Sequence, residues 1–304
     1  MPRKTASGSR LAQFDRRERS AAWLLCAPTA VLMMALLVLP TLAVLLLSFT
    51  DAELGIRDFS FLGLDAYRDL FSDRAFLGAF RNTAVYVALV APASVLIGLV
   101  LALLIEAEVG GRTFFRSVYF LPVVSLTVAM ASVWQYLMHP SFGPMNLILQ
   151  AIGLPSVNWL GSSDNVLIAL ALIGIWQAVG FNMVLFLAGL TAINRDLYAA
   201  AEMDGVRSAW SRFWTVTWPM LGPTTLFVVT ITMINAVKVF ETVATLTQGG
   251  PSKASEVLLY TIYKEGFVYL HIGVASAMAI VFVGVLLVLL LIQTKVLEKQ
   301  VHYS

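Results

Sequence analysis

The stretch Ile272–Gln293 reads IGVASAMAIVFVGVLLVLLLIQ and contains no charged side chain. It exceeds the roughly 18 apolar residues that favour a membrane-spanning helix. Helices are expected rather than strands, because a helix satisfies its backbone hydrogen bonds within the segment, whereas a membrane strand alternates polar and apolar residues. Five further stretches have the same character. The predicted fold class is therefore an all-α membrane protein with six transmembrane helices, at 22–49, 79–105, 114–138, 166–190, 221–246 and 272–293.

The composition of the 304-residue chain agrees with a membrane protein. Hydrophobic residues make up 59% and charged residues 12%, whereas soluble domains carry about 25% charge. A net charge of +2 is too small to suggest a nucleic-acid partner. The single cysteine, Cys26, cannot form an internal disulfide, and the three histidines lack a second ligand at metal spacing. We predict neither a metal site nor catalytic residues, since the spans are nearly free of catalytic side chains.

The basic residues predict the orientation. Thirteen lysines and arginines fall on the side of the two termini and six on the opposite side, and the richer side is expected to be cytoplasmic. Acidic residues crowd the first outer loop. The predicted organisation is a cytoplasmic basic segment 1–21, a first helix 22–49, an outer loop 50–78, a transmembrane core 79–296 with a cytoplasmic loop 191–220, and a cytoplasmic tail 297–304.

The predicted loops are long enough to carry structure of their own. The outer connections 50–78, 139–165 and 247–271 exceed simple turns and are expected to hold short surface helices. The cytoplasmic connection combines a short helix at 197–203, a break at Asp204–Gly205 and an aromatic amphipathic helix at 207–218. Such a helix is expected in the membrane interface. Two interpretations stay open, namely a surface that a partner protein pushes and a simple interfacial anchor.

This cytoplasmic segment carries a family resemblance. The sequences LYAAAEMDG at 197–205 and FWTVTWP at 213–219 resemble the EAA loop of permease subunits of binding-protein-dependent ABC importers, whose pattern is E-A-A, three residues, G, nine residues, I-x-L-P. This chain has Ala199 at the glutamate position, ten residues between Gly205 and Val216, and Trp218 where leucine is usual. The resemblance implies an ATPase-coupling loop formed by Tyr198, Ala199, Ala200, Ala201, Glu202, Asp204, Gly205 and Pro219.

Three further stretches resemble the carbohydrate-type members of the same family: FLGLDAY at 61–67, FRSVYFLP at 115–122 and VFETVATLTQGGP at 239–251. The resemblance implies a MetI-like core of five helices, spans two to six, with the first helix added outside it. It also implies a bacterial inner-membrane complex with a second homologous permease subunit, two cytoplasmic ABC ATPase subunits and an extracytoplasmic solute-binding protein. No G-x-x-x-x-G-K-[ST] phosphate loop occurs in the sequence. ATP and Mg²⁺ are therefore expected in the partner ATPases, and this chain is expected to bind no cofactor and to be no enzyme.

Polar residues inside the spans are candidates for the solute pathway. Away from the span ends, the only charged residues are Lys238 and Glu241, which are three residues apart and expected on one helix face. They either pair and reach the outer surface or lie beside the solute, where Lys238 could meet a phosphate. Aromatic and amide side chains suit a sugar site, although interhelical packing would also use them. The remaining candidates are Trp176, Gln177, Phe181, Asn182, Thr232 and Asn235.

The function predicted from these observations is translocation of a sugar or polyol-phosphate, such as glycerol-3-phosphate or its diesters. The substrate would be delivered by the binding protein, and ATP hydrolysis in the partner subunits would drive its transport. The alternative is an ion-coupled secondary transporter of a small polar solute. That class is expected to show inverted repeats and membrane-embedded acids, whereas this sequence shows no evident repeat and a single such acid, Glu241.

Overall fold

A computed structural model describes residues 22–56, 58–107 and 110–297. The described chain is helical, and its sole β interaction is one isolated bridge between Thr50 and Phe61. The predicted cytoplasmic segment 1–21 and all but the first residue of the predicted tail lie outside the described residues.

The helices follow the predicted order of spans and surface segments. In the described ranges five helices are long and apolar enough to cross a membrane singly, and the count is six when one bent pair is taken as a single span. We number the helices α1 (Ala22–Leu47), α2 (Asp65–Ser72), α3 (Arg74–Ala107), α4 (Arg112–Val124), α5 (Thr127–Leu137), α6 (Pro144–Ala151), α7 (Val166–Ala192), α8 (Arg195–Met203), α9 (Ala209–Arg212, continued through Phe213–Thr217 and Trp218–Met220), α10 (Gly222–Val237), α11 (Glu241–Leu246), α12 (Leu258–Tyr263, continued through Lys264–Val268) and α13 (Ile272–Leu297).

The third span is not the continuous helix that the sequence predicts at 114–138. Helices α4 and α5 meet at an angle of 100°, because Ser125 and Leu126 are both extended. Pro122 lies in the last turn of α4 and removes one backbone hydrogen-bond donor there. The hydrophobicity that predicts a span is therefore present, but it is distributed over two helices.

The fifth span is also interrupted, which corrects the prediction for Lys238 and Glu241. Helix α10 ends at Val237, Phe240 leaves the helical region at φ −146°, and α11 begins at Glu241. The two charged residues therefore flank a break and do not share the face of one continuous helix.

Helix α7 lies at the centre of the bundle and packs along α3. Small residues make this close approach possible. A Cβ added at Gly98 would lie 2.7 Å from the Asn182 Cβ, and one added at Gly180 would lie 2.1 Å from the carbonyl oxygen of Tyr119 on α4. Helix α1 contacts α13, and its 18-residue apolar window has no buried residue. The described chain thus has a core of later helices with the first helix outside it, as predicted.

The outer connections hold the short helices expected of them. Helix α2 lies in the first, α6 in the second and α12 in the third. Pro144 occupies the first position of α6, where its missing N–H costs no helical hydrogen bond. These three connections therefore contain short helices rather than simple turns.

Candidate functional site

The first candidate site is the connection 191–220, predicted to be cytoplasmic, which we call the elbow. Its first arm is α8, which begins after Asn194, whose side chain accepts a hydrogen bond from the Asp196 amide at 3.0 Å. The arm ends at Met203, and Gly205 adopts φ +87°, a conformation that glycine reaches without steric cost. The predicted short helix and glycine turn are confirmed.

The second arm of the elbow is α9, with Ser208 as its N-cap; the Ser208 hydroxyl accepts a hydrogen bond from the Ser211 amide at 3.0 Å. Its aromatic residues contact one another, as in the edge-to-face pair of Trp210 and Trp214 with ring centroids 5.7 Å apart. Trp210 is 72% exposed, whereas Val216 is buried. The predicted amphipathic helix is thus present, and its placement in the membrane interface stays a prediction.

The two arms are joined to each other and to the bundle. The Tyr198 hydroxyl lies 3.1 Å from the Thr217 Oγ1, a hydrogen bond between the arms. Ala201 and Val216 are buried in one apolar cluster with Leu190 of α7 and Ile105 of α3. The elbow is therefore a folded unit that packs on the C-terminal ends of two central helices, α3 and α7.

The predicted coupling residues divide between the two faces of the elbow. Ala201 packs inward and Tyr198 is half-buried, so these two residues hold the arms together. The other six are exposed and free to meet a partner: Ala199, Ala200, Glu202, Asp204, Gly205 and Pro219.

The second candidate site is a cavity of about 570 Å³ among α3, α4, α5, α7, α10 and α11. Of the eight residues predicted for the solute pathway, Trp176 does not line it; its ring packs edge-to-face on Trp134 at 5.4 Å. The other seven do line it: Gln177, Phe181, Asn182, Thr232, Asn235, Lys238 and Glu241.

The cavity also has lining residues that the sequence argument missed, including Tyr86 and Thr127. Tyr86 is one tyrosine within an apolar stretch, and nothing in the neighbouring sequence indicates that it lines a cavity.

The amides of α7 are used for interhelical hydrogen bonds. The Asn182 Nδ2 donates to Ser94 Oγ at 3.3 Å, and its Oδ1 accepts from Thr232 Oγ1 at 2.8 Å. Gln177 Nε2 donates to Thr127 Oγ1 at 3.0 Å. In this conformation Asn182 therefore joins α3, α7 and α10, which is the packing role that the sequence left open.

The charged end of the cavity lies at the break in the fifth span. Asn235, Lys238 and Glu241 line the cavity there and are exposed to it. No ion pair joins the two charged side chains in the part of the chain that the structure describes. A lysine ammonium is a compact charge with three donors and suits a phosphate or carboxylate. The cavity can therefore hold a polar solute with an anionic group near Lys238.

Comparison with known proteins gives consistent relatives along almost the whole chain. The family model described as "Binding-protein-dependent transport system inner membrane component" matches residues 19–303. The sn-glycerol-3-phosphate transport system permease protein UgpA of Agrobacterium fabrum is 30% identical over 283 residues, covering 93% of this chain and 96% of that protein. The osmoprotective compounds uptake permease protein GgtC of Synechocystis is 35% identical over 260 residues, covering 84% of this chain and 90% of that protein.

A solved structure is similar over the same length. It is a bacterial ABC transporter involved in the import of the acidic polysaccharide alginate, and the matching chain superposes with a TM-score of 0.80 at 25% identity. The superposition covers 95% of this chain and 99% of that one. The helical arrangement described above is thus that of a solved importer subunit.

Proposed function

Because this chain belongs to the family of binding-protein-dependent transport system inner membrane components, we propose that it is the permease subunit of an ATP-driven importer for a carbohydrate or polyol-phosphate. Glycerol-3-phosphate and its diesters are examples of the second class. The observation that carries this choice is the cavity of about 570 Å³, whose lining includes Lys238 and Asn235. Two similar proteins are named for acidic or phosphorylated solutes, namely alginate and glycerol-3-phosphate.

In this proposal the two charged residues of the cavity have different tasks. Lys238 neutralises the phosphate or carboxylate of the solute, and Glu241 and Asn235 hydrogen-bond its hydroxyl groups. The aromatic face of Phe181 packs against C–H surfaces of the solute. Asn182 keeps α3, α7 and α10 together around the site.

The proposed complex contains a second homologous permease, two cytoplasmic ABC ATPases that bind ATP and Mg²⁺, and an extracytoplasmic binding protein. Both termini and the elbow face the cytoplasm. This orientation is supported by the arginines of the elbow, Arg195, Arg207 and Arg212, since cytoplasmic loops are rich in arginine and lysine.

The proposed mechanism uses the elbow as a lever. Closure of the ATPases on ATP pushes the exposed face of α8, and the elbow transmits the displacement to α7 and α10, with which it is continuous. These two helices carry Asn182, Thr232 and Asn235, so their rotation changes the side from which the cavity is accessible. The binding protein releases solute into the outward-open cavity, and hydrolysis resets the cycle.

Uptake by the complex, purified with its companion subunits and reconstituted into liposomes, tests the substrate assignment. We expect ATP-dependent uptake of labelled glycerol-3-phosphate or an acidic sugar. The change Lys238→Gln should raise the KM for that anion about tenfold, because a hydrogen bond to a charged group contributes ~1.5–3 kcal/mol. The matched control is Lys253→Gln, since Lys253 lies outside the cavity lining.

An unchanged KM in Lys238→Gln would contradict the role given to this lysine. Uptake by the isolated chain that an ionophore abolishes and ATP depletion leaves unchanged would contradict the importer proposal as a whole. It would favour the ion-coupled secondary transporter instead.

A further inference from the structure

A second large groove lies away from the proposed solute cavity. Its volume is about 840 Å³, and it runs between the cytoplasmic end of α3 and the elbow. One wall is a single face of α3, because Leu96, Leu99, Val100 and Leu103 follow the helical spacing. Trp210 and Phe213 of α9, together with Leu190 and Ile193 at the end of α7, complete the apolar lining.

The apolar wall formed by α3 is exposed at the surface of the chain. Leu96 is 61% exposed and Val100 is 53% exposed, although both belong to a helix that crosses the membrane. Apolar side chains exposed at membrane depth meet lipid tails rather than water. The groove can therefore receive an acyl chain from the bilayer along the face of α3.

The rim of the groove is positively charged. Arg195 begins the first arm of the elbow and Arg212 lies in the second, and both line the groove. Both arginines are exposed, and neither forms an ion pair with an acid in the described ranges. The one acidic residue of the lining, Glu106, lies 3.9 Å from Arg112, which offsets its charge. Two free guanidinium groups thus face the apolar groove from two separate segments.

We propose that this groove binds an anionic phospholipid of the cytoplasmic leaflet. One acyl chain lies on the α3 wall, and the phosphate lies between Arg195 and Arg212. The charge complementarity supports this occupant, since anionic lipids give the cytoplasmic surface its negative potential and basic pockets between helices bind their head groups. Because the two arginines come from different arms, the bound phosphate braces the elbow. The inference concerns a site separate from the solute cavity and does not depend on which solute is carried.

A photoactivatable phosphatidylglycerol with a diazirine in its acyl chain tests the proposal. The full complex is placed in nanodiscs of phosphatidylcholine that contain a small fixed fraction of this probe, and labelled peptides are identified by mass spectrometry. We expect labelling concentrated at residues 96–103 and 209–213. Replacing Arg195 and Arg212 by glutamine should lower labelling about fivefold for each arginine removed. Val100→Trp fills the groove, retains both arginines and should also lower it.

The matched control is Arg207→Gln, because Arg207 is an exposed arginine of the same elbow that does not line the groove. Its labelling should equal that of the unaltered chain. Three results would overturn the proposal: equal labelling in the Arg195→Gln/Arg212→Gln and Arg207→Gln variants, equal labelling by a phosphatidylcholine probe, or competition by inorganic phosphate. The second would indicate ordinary boundary lipid, and the third would indicate a soluble anion. The readout requires no transport, so it remains valid if the proposed substrate is wrong.

Discussion

Two long connections lie at opposite ends of the central helices; both bury apolar side chains, but they differ in their polar contacts. The connection 247–271, which we call the outer hairpin, adds polar contacts to helix α3 and within itself to the apolar packing of Val257 and Leu258. Asn82 Nδ2 donates to the carbonyl oxygens of Lys253 and Glu256, at 3.1 and 2.9 Å. Lys264 forms a 2.8 Å ion pair with Glu256, whose side chain is only 4% exposed.

The elbow has few polar contacts with the bundle and relies on apolar packing. Its arms share one side-chain hydrogen bond, between Tyr198 and Thr217, and its buried residues belong to the cluster at the ends of α3 and α7. Directional hydrogen bonds fix one geometry, whereas apolar surfaces can slide by small amounts while remaining in contact. From the additional directional contacts we expect a fixed outer hairpin, and in the proposed mechanism we expect the elbow to shift as a unit with α7 and α10. The following predictions test this difference in order of decreasing effect.

The largest effect is expected at the turn of the elbow. A Cβ added at Gly205 would meet no atom within 4 Å, yet the residue adopts φ +87°. A non-glycine residue in this conformation costs roughly 1–2 kcal/mol, and a bulky one also covers the exposed turn. We expect Gly205→Trp to insert normally and to lose solute-stimulated ATPase activity by about tenfold or more, as measured on the purified complex.

Gly205→Asn is the control for this change, because asparagine tolerates the left-handed conformation. It should keep most of the stimulated activity. Normal solute-stimulated ATPase activity in Gly205→Trp would refute the lever mechanism.

The next largest effect is expected in the outer hairpin. Lys264→Met leaves the buried carboxylate of Glu256 without its partner, and breaking such a pair costs several kcal/mol. Because Lys264 is 20% exposed at its side chain, we expect a loss of about 2 kcal/mol in unfolding free energy, read as a lower Tm. The control Lys253→Met removes a lysine of the same hairpin that lacks an ion pair to Glu256. Equal Tm values for the two variants would show that polar contacts do not fix the hairpin.

The same ion pair predicts a pH dependence. Partial burial alone would lower the pKa of Lys264, but the hydrogen bond and charge of Glu256, together with those of Tyr269, outweigh it and raise this pKa above its ordinary value of 10.5. A raised folded-state pKa gives stability that is fully present below the unfolded value and lost as pH rises through the folded value. The Tm difference between the unaltered chain and Lys264→Met should therefore stay constant at neutral pH and shrink above pH 10.5. A difference that disappears already near pH 8 would contradict this assignment.

The smallest effect is expected for the side-chain hydrogen bond that joins the two arms of the elbow. Tyr198→Phe removes the hydroxyl that lies 3.1 Å from Thr217 Oγ1, and such a bond contributes about 1 kcal/mol. Thr217→Val should give a similar loss of unfolding free energy, and the double variant should lose little more than either single one. Thr215→Val is the control, because Thr215 is exposed on the same helix. Fully additive losses would mean that the two side chains act separately.

The elbow could be predicted from the sequence because its signals are local. Gly205, the short helix before it and the aromatic spacing after it all lie within about thirty residues, so the break and both arms follow from neighbouring side chains. The short helices of the outer loops are predictable for the same reason.

The cavity and the breaks in the spans could not be predicted to the same extent. Asn182 bonds to Ser94 and Thr232, which lie 88 and 50 residues away, and no local pattern reveals such partners. Hydropathy predicted the third and fifth spans but carries no information on backbone direction. It therefore missed the 100° bend after Val124 and the break that separates Lys238 from Glu241.

The central claim is that the exposed face of α8 contacts a nucleotide-hydrolysing subunit. Met203 ends α8 and is 88% exposed, so Met203→Cys in a Cys26→Ser background places a single cysteine at this contact. In the complex from native membranes we expect a short bifunctional reagent to link it to the ATPase and to block ATP-driven uptake, whereas Leu154→Cys on the outer face should form no such link. An active complex in which position 203 links to no nucleotide-hydrolysing subunit would contradict the account.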